Sequence, residues 1–339
     1  MQCFPWIADA VQETITPIRR VTYGRSFLLG FVFGDRRTGG VSAVSARNKK
    51  QKVVCAINKI IDTGLQPLTK DAALETLTDF LRCPLYDGAE VLRRFRALPG
   101  AQYFEGKTPL ERYVYVPGTR KDRVVLIAHA DTVWDQNYLQ EEQDSTPVLS
   151  DGRIISDTPE AGLGADDRAG CALLWLLKDS GHSLLIFDGE EHGHHGAQLL
   201  TMQNKRLLRE INRHHWLLSL DLQGANFCHY HGILNRSSFK NYIDEQFKPT
   251  ELNSKAGTDI SYVARQACGV NLSIGYGKQH GASEFLSVSA WYECYLRLCK
   301  VLSQWQPRFR TRCLVRLRRT IFGLPRRGYR KIKRILHIK

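Results

Sequence analysis

The sequence predicts a layered α/β protein. Three observations carry that reading: short apolar runs bracketed by charge, helix-periodic stretches between them, and acidic or histidine residues placed directly after the runs. The clearest run, residues 124–128, follows the charged residues 121–123, as a buried strand does. His129 is therefore expected at the C-terminal end of a strand.

The remaining elements follow in order. Residues 71–82 have helical spacing, and residues 89–98 form a second helix closed by Pro99 and Gly100. An extended stretch at 111–116 precedes the strand at 124–128. A helix at 168–178, a strand at 183–187, a helix at 197–209 and a strand at 216–220 then alternate, the rhythm of a sheet covered by helices. Helices at 238–247 and 259–266, a strand at 270–274 and a long helix from 283 to about 305 complete the body, with no internal repeat.

Outside this body lie residues 1–68, an extension of unassigned role whose Gly-, Ser- and Lys-rich part at 39–52 reads as linker or loop, and a basic tail at 306–339. The 339 residues carry 48 Lys and Arg against 34 Asp and Glu, a formal charge of +14. Thirteen of the basic residues and none of the acids fall in 306–339, which leaves 35 against 34 elsewhere. A nearly neutral body with a cationic tail directs an anionic partner to the tail. The tail's interleaved Phe309, Leu314, Leu317, Ile321 and Phe322 suit an amphipathic surface helix or arm that meets anionic membrane or nucleic acid, or a solvated tail.

Nine scattered cysteines with no C-x-x-C pair are expected to be reduced and mostly buried. No apolar run approaches the roughly 18 residues that span a bilayer. Arg19, Arg20 and Arg25 ahead of the apolar residues 27–33 resemble the start of a secretion signal, but Asp35, Arg36 and Arg37 follow at once. The expectation is a cytosolic extension and a cytoplasmic protein.

The chemistry-bearing residues fall where ligands collect in α/β sheets, beyond the C-terminal ends of strands. His129 with Asp131, the Asp-Gly-Glu-Glu run at 188–191, and Asp221 each follow a predicted strand. The segment Gly-Ala-Asp-Asp-Arg-Ala-Gly at 164–170 and His280 lie in loops able to face the same edge. Carboxylates mixed with imidazoles, without cysteine, suit Zn²⁺, Mn²⁺ or Co²⁺ in an open catalytic site. Taken singly, a His at a strand end or an Asp before a helix is more often a hydrogen-bonding or capping residue. Their order carries the weight.

In that order they resemble the co-catalytic di-zinc exopeptidases, the group of bacterial-type aminopeptidases, glutamate carboxypeptidases, peptidase T and aminoacylases, over residues 69–305. The resemblance implies a three-layer α/β/α sandwich with a mixed, mostly parallel central sheet, and two zinc ions. By motif, His129 and Asp221 would bind one ion, Glu191 and His280 the other, and Asp166 would bridge them. Asp131 would support His129 from behind, Glu190 would be the general base, and the 166–167 peptide bond would be cis.

The sequence departs from its relatives in two places. Only 59 positions separate Asp221 from His280, where many relatives insert a lid, so a lidless, aminopeptidase-like single domain is expected. His192, His194 and His195 stand where relatives carry smaller or apolar residues; they are read as exposed loop or polar pocket wall, outside the metal shell. Thr258 and Asp259, at a helix start, are substrate-binding candidates that capping alone would also explain. His231 joins them as a candidate, although it and His229 could line the substrate pocket or merely alternate along a strand.

The expected function is metal-dependent hydrolysis of peptide or amide bonds by an exopeptidase acting on peptides. N-acyl amino acid deacylation and a one-zinc transferase of the glutaminyl-cyclase type are the alternatives on the same fold. From another class comes a nucleic-acid or anionic-membrane binder acting through the tail. Spacing encodes neither side-chain preference nor oligomeric state.

Overall fold

The frame of the molecule is an eight-stranded mixed sheet, seen in a computed structural model that describes residues 65–134, 145–253 and 257–312. Its strands are β1 (Gln102–Glu105), β2 (Arg112–Val116), β3 (Val125–His129), β6 (Ser183–Phe187), β7 (Leu217–Ser219), β8 (Phe227–His229), β9 (Thr250–Glu251) and β10 (Gly269–Leu272), in the order β1-β2-β6-β3-β7-β10-β8-β9. The central four, β6, β3, β7 and β10, run parallel. β1, β2 and β8 pair antiparallel outside them.

Every residue of β3 is buried, and successive side chains enter opposite layers, as the two-residue period of a strand requires. Leu126 and Ala128 pack into one core with helices α1 (Lys70–Leu81), α2 (Ala89–Arg96), α3 (Ala165–Leu176), α6 (Ser237–Phe247) and α8 (Val288–Ser303). Val125 and Ile127 pack into the other with α4 (His195–Gln203), α5 (Lys205–Ile211) and α7 (Asp259–Val263). The architecture is thus the three-layer α/β/α sandwich with a mostly parallel centre.

A second, four-stranded antiparallel sheet has the order β11-β12-β5-β4, built from β4 (Pro147–Ser150), β5 (Arg153–Ser156), β11 (Tyr276–Gly277) and β12 (Phe285–Ser287). Its β4–β5 hairpin turns at Asp151 and Gly152, both at positive φ (48° and 74°). A two-residue turn with both central residues in that region matches the twist of the flanking strands.

Four boundaries differ from expectation. The helix expected at 197–209 is two helices, because Asn204 leaves helical geometry (φ −115°, ψ 66°) and its side chain accepts from the Leu207 N–H at 3.0 Å, capping α5. The helix expected at 259–266 stops at Val263, and Oδ1 of Asn212 takes the N–H groups of Arg265, Gln266 and Ala267 at 2.9, 2.6 and 3.2 Å. The last helix begins at Val288, capped by Ser287, since residues 285–287 form β12. Finally, residues 306–312 lie on the body: Gln306 is fully buried, Phe309 packs on the core and Arg310 bridges to Ala267.

Residues 65–68 also touch the body, where Leu68 bonds to the hydroxyls of Tyr292 and Tyr295. The expectations for residues 1–64 and for the tail beyond Arg312 fall outside the described residues. Among the described residues the cysteines are unpaired and mostly buried, and no helix is long and apolar enough to cross a membrane.

Candidate metal centre

Parallel strands β3, β6 and β7 end at one edge, and the side chains singled out by motif meet there. His129 is the last residue of β3, Glu190 and Glu191 lie in the loop after β6, and Asp221 follows β7. Asp166 arrives on the entry to α3, where Asp166 and Asp167 are non-helical and joined by a cis peptide bond. His280 comes from the loop between β11 and β12 at φ 64°.

Asp166 sits at the middle of this group. Its Oδ1 is 3.2 Å from Nε2 of His129, and its Oδ2 is 3.2 Å from Nε2 of His280. On the first side Asp221 Oδ1 stands 3.6 Å from the same His129 nitrogen; on the second, Glu191 Oε1 stands 2.8 Å from the His280 nitrogen. Two donor triads, His129–Asp166–Asp221 and Asp166–Glu191–His280, therefore share one carboxylate, a third, His129–Glu190–Glu191, overlaps both, and within each the ligand atoms lie within 4.8 Å of one another.

This donor set can hold metal. Around a tetrahedral ion with bonds of roughly 2.0–2.1 Å, neighbouring donor atoms lie about 3.3 Å apart, the spacing seen here. The electrostatics agree. Buried acids draw protons onto the imidazoles: burial alone would lower His129, but Asp221, Asp131 and Asp166 raise it well above its ordinary value. Hydrogen bonds to Asp166 and Glu191 raise His280 to about 10. Burial meanwhile pushes Glu191 up to about 7 and Glu190 to about 8. The site is a buried excess of carboxylate, which cations relieve.

The surrounding residues fix these groups. Asp131 accepts from the backbone N–H of Glu190 and of Glu191 at 3.1 and 3.0 Å, and its backbone oxygen is 3.2 Å from Nδ1 of His129. It thus ties the β3 end to the acidic loop. Asp167 points inward and accepts from the N–H groups of His129 and Gly170. Thr258 and Tyr276 donate from their hydroxyls to Asp221 at 2.8 and 3.2 Å.

A cleft of about 230 Å³ opens on this group, lined by Asp166, Glu190, Glu191, Asp221, Thr258 and His280 and walled by His229, His231 and Leu252. His231 and Thr258 thus face the cleft. Asp259 does not: it is 2% exposed and lies behind His194.

Sequence reasoning missed three residues here. His194, read as loop or pocket wall, places Nδ1 3.2 Å from Glu190 Oε1 and 3.4 Å from Asp259 Oδ1, in a left-handed conformation (φ 65°) at the start of α4. Burial opposes its protonation, but Asp259 and Glu190 raise it to about 10. Its departure from the relatives' pattern was the available signal. Glu284, 4% exposed, accepts from the N–H groups of Leu163, Gly164 and Asp166 and so holds the loop that presents Asp166. Tyr276 carried no signal at all, standing in a short strand that periodicity does not mark.

No protein-family model matches the sequence, and neither does any curated protein. Solved structures do match. Aminopeptidase PepT from Bacillus cereus ATCC 10987 has a TM-score of 0.51 and 14% identity, over 70% of this chain and 99% of that one. A tripeptidase from Staphylococcus aureus subsp. aureus Mu50 has a TM-score of 0.51 and 14% identity, over 71% and 99%. At that identity the likeness is one of fold, and it is the fold that the motifs imply.

Proposed function

We propose that the chain is a metal-dependent exopeptidase of the aminopeptidase type. The observation that carries this reading is Asp166, whose two oxygens face two imidazoles, each completed by a further carboxylate. The fold shared with an aminopeptidase and a tripeptidase supports it. His129 and Asp221 would hold one zinc ion, Glu191 and His280 a second, with Asp166 on both; manganese or cobalt suits the same donors. Bound there, such ions polarise a carbonyl and lower the pKa of water.

The chain's own residues supply placement and proton transfer. Asp131 holds the His129 ring and the Glu190–Glu191 backbone in register. Glu190, which makes no motif-assigned metal contact, takes the proton of the attacking water and passes it to the leaving amine. Thr258 and Tyr276 keep Asp221 oriented. A cleft of about 230 Å³, below the ~300–1,000 Å³ of drug-sized sites, suits a terminal residue better than a long chain.

The test is elemental analysis of purified protein together with a panel of aminoacyl-anilides and N-acyl amino acids, for wild type and Glu190→Gln. Metal retained in both proteins, with anilide hydrolysis lost only in the variant, supports the reading. Hydrolysis that is indifferent to Glu190→Gln, or a wild type that binds no metal, sinks it. Cleavage of the acyl amino acids alone would redirect it to deacylation.

A further inference from the structure

Because β3, β6, β7 and β10 are parallel and end at the metal centre, the loops that precede them share the opposite edge of the sheet. That edge is basic. Lys121 and Arg123 precede β3, Arg213 precedes β7 and Arg265 precedes β10. Residues 308–312 lie across these loops, with Phe309 N–H on the His215 carbonyl and Thr311 N–H on that of Gln266, adding Arg308, Arg310 and Arg312. The near-neutral charge count of the body therefore conceals a separation of charge, carboxylates at one end of the strands and guanidiniums at the other.

Acids do not neutralise the basic edge. Asp122 is buried against Arg120 at 2.7 Å and Asp179 is held by Lys178, which leaves Glu210, bonded to the Tyr115 hydroxyl, as one acid among several cations. Exposed Arg209, Arg213 and Arg265 surround a cavity of about 250 Å³ whose lining contains no carboxylate. Arg310 uses its guanidinium on the carbonyls of Asn212 and Arg213. Burial and then the like charge of Arg308 lower its pKa. Among the described residues, Arg209, Arg213 and Arg265 make no ion pair, and the cavity they line holds no carboxylate.

The apolar neighbours indicate which one. Trp305, 44% exposed, stands with its ring 6.1 Å from that of His215 on this edge. Leu234, also 44% exposed, accepts the Arg312 N–H on its carbonyl. An exposed tryptophan and leucine beside exposed arginines is the composition of a membrane–water interface. The sequence after Arg312 keeps it, with ten Lys and Arg, no acid, and Leu314, Leu317, Ile321 and Phe322 among them. Aliphatic side chains gain from a lipid surface and contribute little to reading nucleic acid, which favours stacking rings and hydrogen-bonding groups.

We propose that this edge is a docking surface for an anionic phospholipid membrane, seating the body with the cleft turned away from the bilayer. This inference is independent of the peptidase reading.

The test is co-sedimentation of the full chain with phosphatidylcholine vesicles, with and without phosphatidylserine, at low and high salt. Wild type is expected to sediment only with the anionic vesicles and to be released by salt. The triple variant Arg209→Gln, Arg213→Gln, Arg265→Gln, with its melting temperature checked against wild type, should partition about a hundredfold more weakly, at about fivefold per charge. Trp305→Ser gives an independent reduction and carries the test if the triple variant melts early. Unaltered partition of these variants, absence of wild-type binding to anionic vesicles, or binding to duplex RNA or DNA in place of vesicles would each overturn the proposal.

Discussion

Oδ2 of Asp166 and Nε2 of His280 lie 3.2 Å apart, although the two residues are far apart in sequence and the other oxygen of Asp166 is engaged with His129. On the proposed assignment, removing a shared carboxylate disturbs both ions and removing one imidazole disturbs a single ion. Asp166→Ala should therefore abolish stoichiometric metal binding, whereas His280→Ala should retain the ion on the His129 side. Elemental analysis after dialysis reads this directly, and equal losses in the two variants would contradict a shared ligand.

His194 is expected to act through Glu190. With Nδ1 3.2 Å from the Glu190 carboxylate, its removal frees that side chain and leaves the His129–Asp166–Asp221 and Asp166–Glu191–His280 donors in place. Misplacing a reacting group by about 1 Å costs up to a hundredfold in rate. His194→Ala should lower kcat by roughly tenfold to a hundredfold with KM and metal content little changed, and His194→Gln should recover part of the loss. A rise in KM at constant kcat would mean that His194 only lines the pocket.

Gly196 lies in the first turn of α4 where a side chain has no room, since a Cβ there would meet the carbonyl oxygens of Arg112 and Asp188. Both are backbone atoms of sheet strands or their ends, so they yield only if the sheet edge shifts. Gly196→Ala should destabilise the protein by about 1–3 kcal/mol. Thermal melting several degrees below wild type would show it, and an unchanged melting temperature would mean that the edge is soft.

Two histidines that precede β6 and β7, at the edge of the sheet opposite the candidate metal centre, are expected to make the fold acid-sensitive. His182 accepts from the Val124 N–H and lies 3.0 Å from the Leu302 carbonyl, while His214 lies between the Glu210 carbonyl and Ser183 Oγ. Burial lowers both from 6.5 to about 4, with Arg120 and Arg123 adding to the effect. A base whose folded pKa is depressed leaves stability intact above its unfolded pKa. It withdraws stability as pH falls, because only the unfolded chain then takes up the proton. Each should contribute up to about 3 kcal/mol of loss between about pH 6.5 and 4. Urea midpoints followed across that range should fall for wild type and fall less steeply for His182→Gln.

The parts of the fold that are legible in the sequence are those where one local signal dominates. β6 lies where its apolar run places it, because a strand buried on both faces has to be apolar throughout. The second sheet was missed although residues 147–156 carry its mark: short stretches flanking Asp-Gly, the pair that favours a two-residue hairpin turn. The break at Asn204 was missed because apolar periodicity runs through it, and only the capping tendency of asparagine argued otherwise.

At the site, sequence order located the residues that the structure brings together, since each follows a strand or a turn. Their supports were not legible. Glu284 and Asp259 are single acids in ordinary surroundings, and what distinguishes them is burial against distant backbone and a distant ring. His194 differs from its relatives' pattern, but a histidine in a glycine-rich loop is ordinarily a solvated one, and only the packing of α7 against that loop makes it otherwise.

The donor triads are assembled from five separate stretches of chain between His129 and His280, each delivered by a different strand end or loop. No short fragment contains a working centre. A fragment that stops short of His280 lacks the complete constellation. The site is therefore a reporter of the assembled sheet: recovery of stoichiometric metal binding during refolding is expected to track formation of the whole fold, not of any one segment.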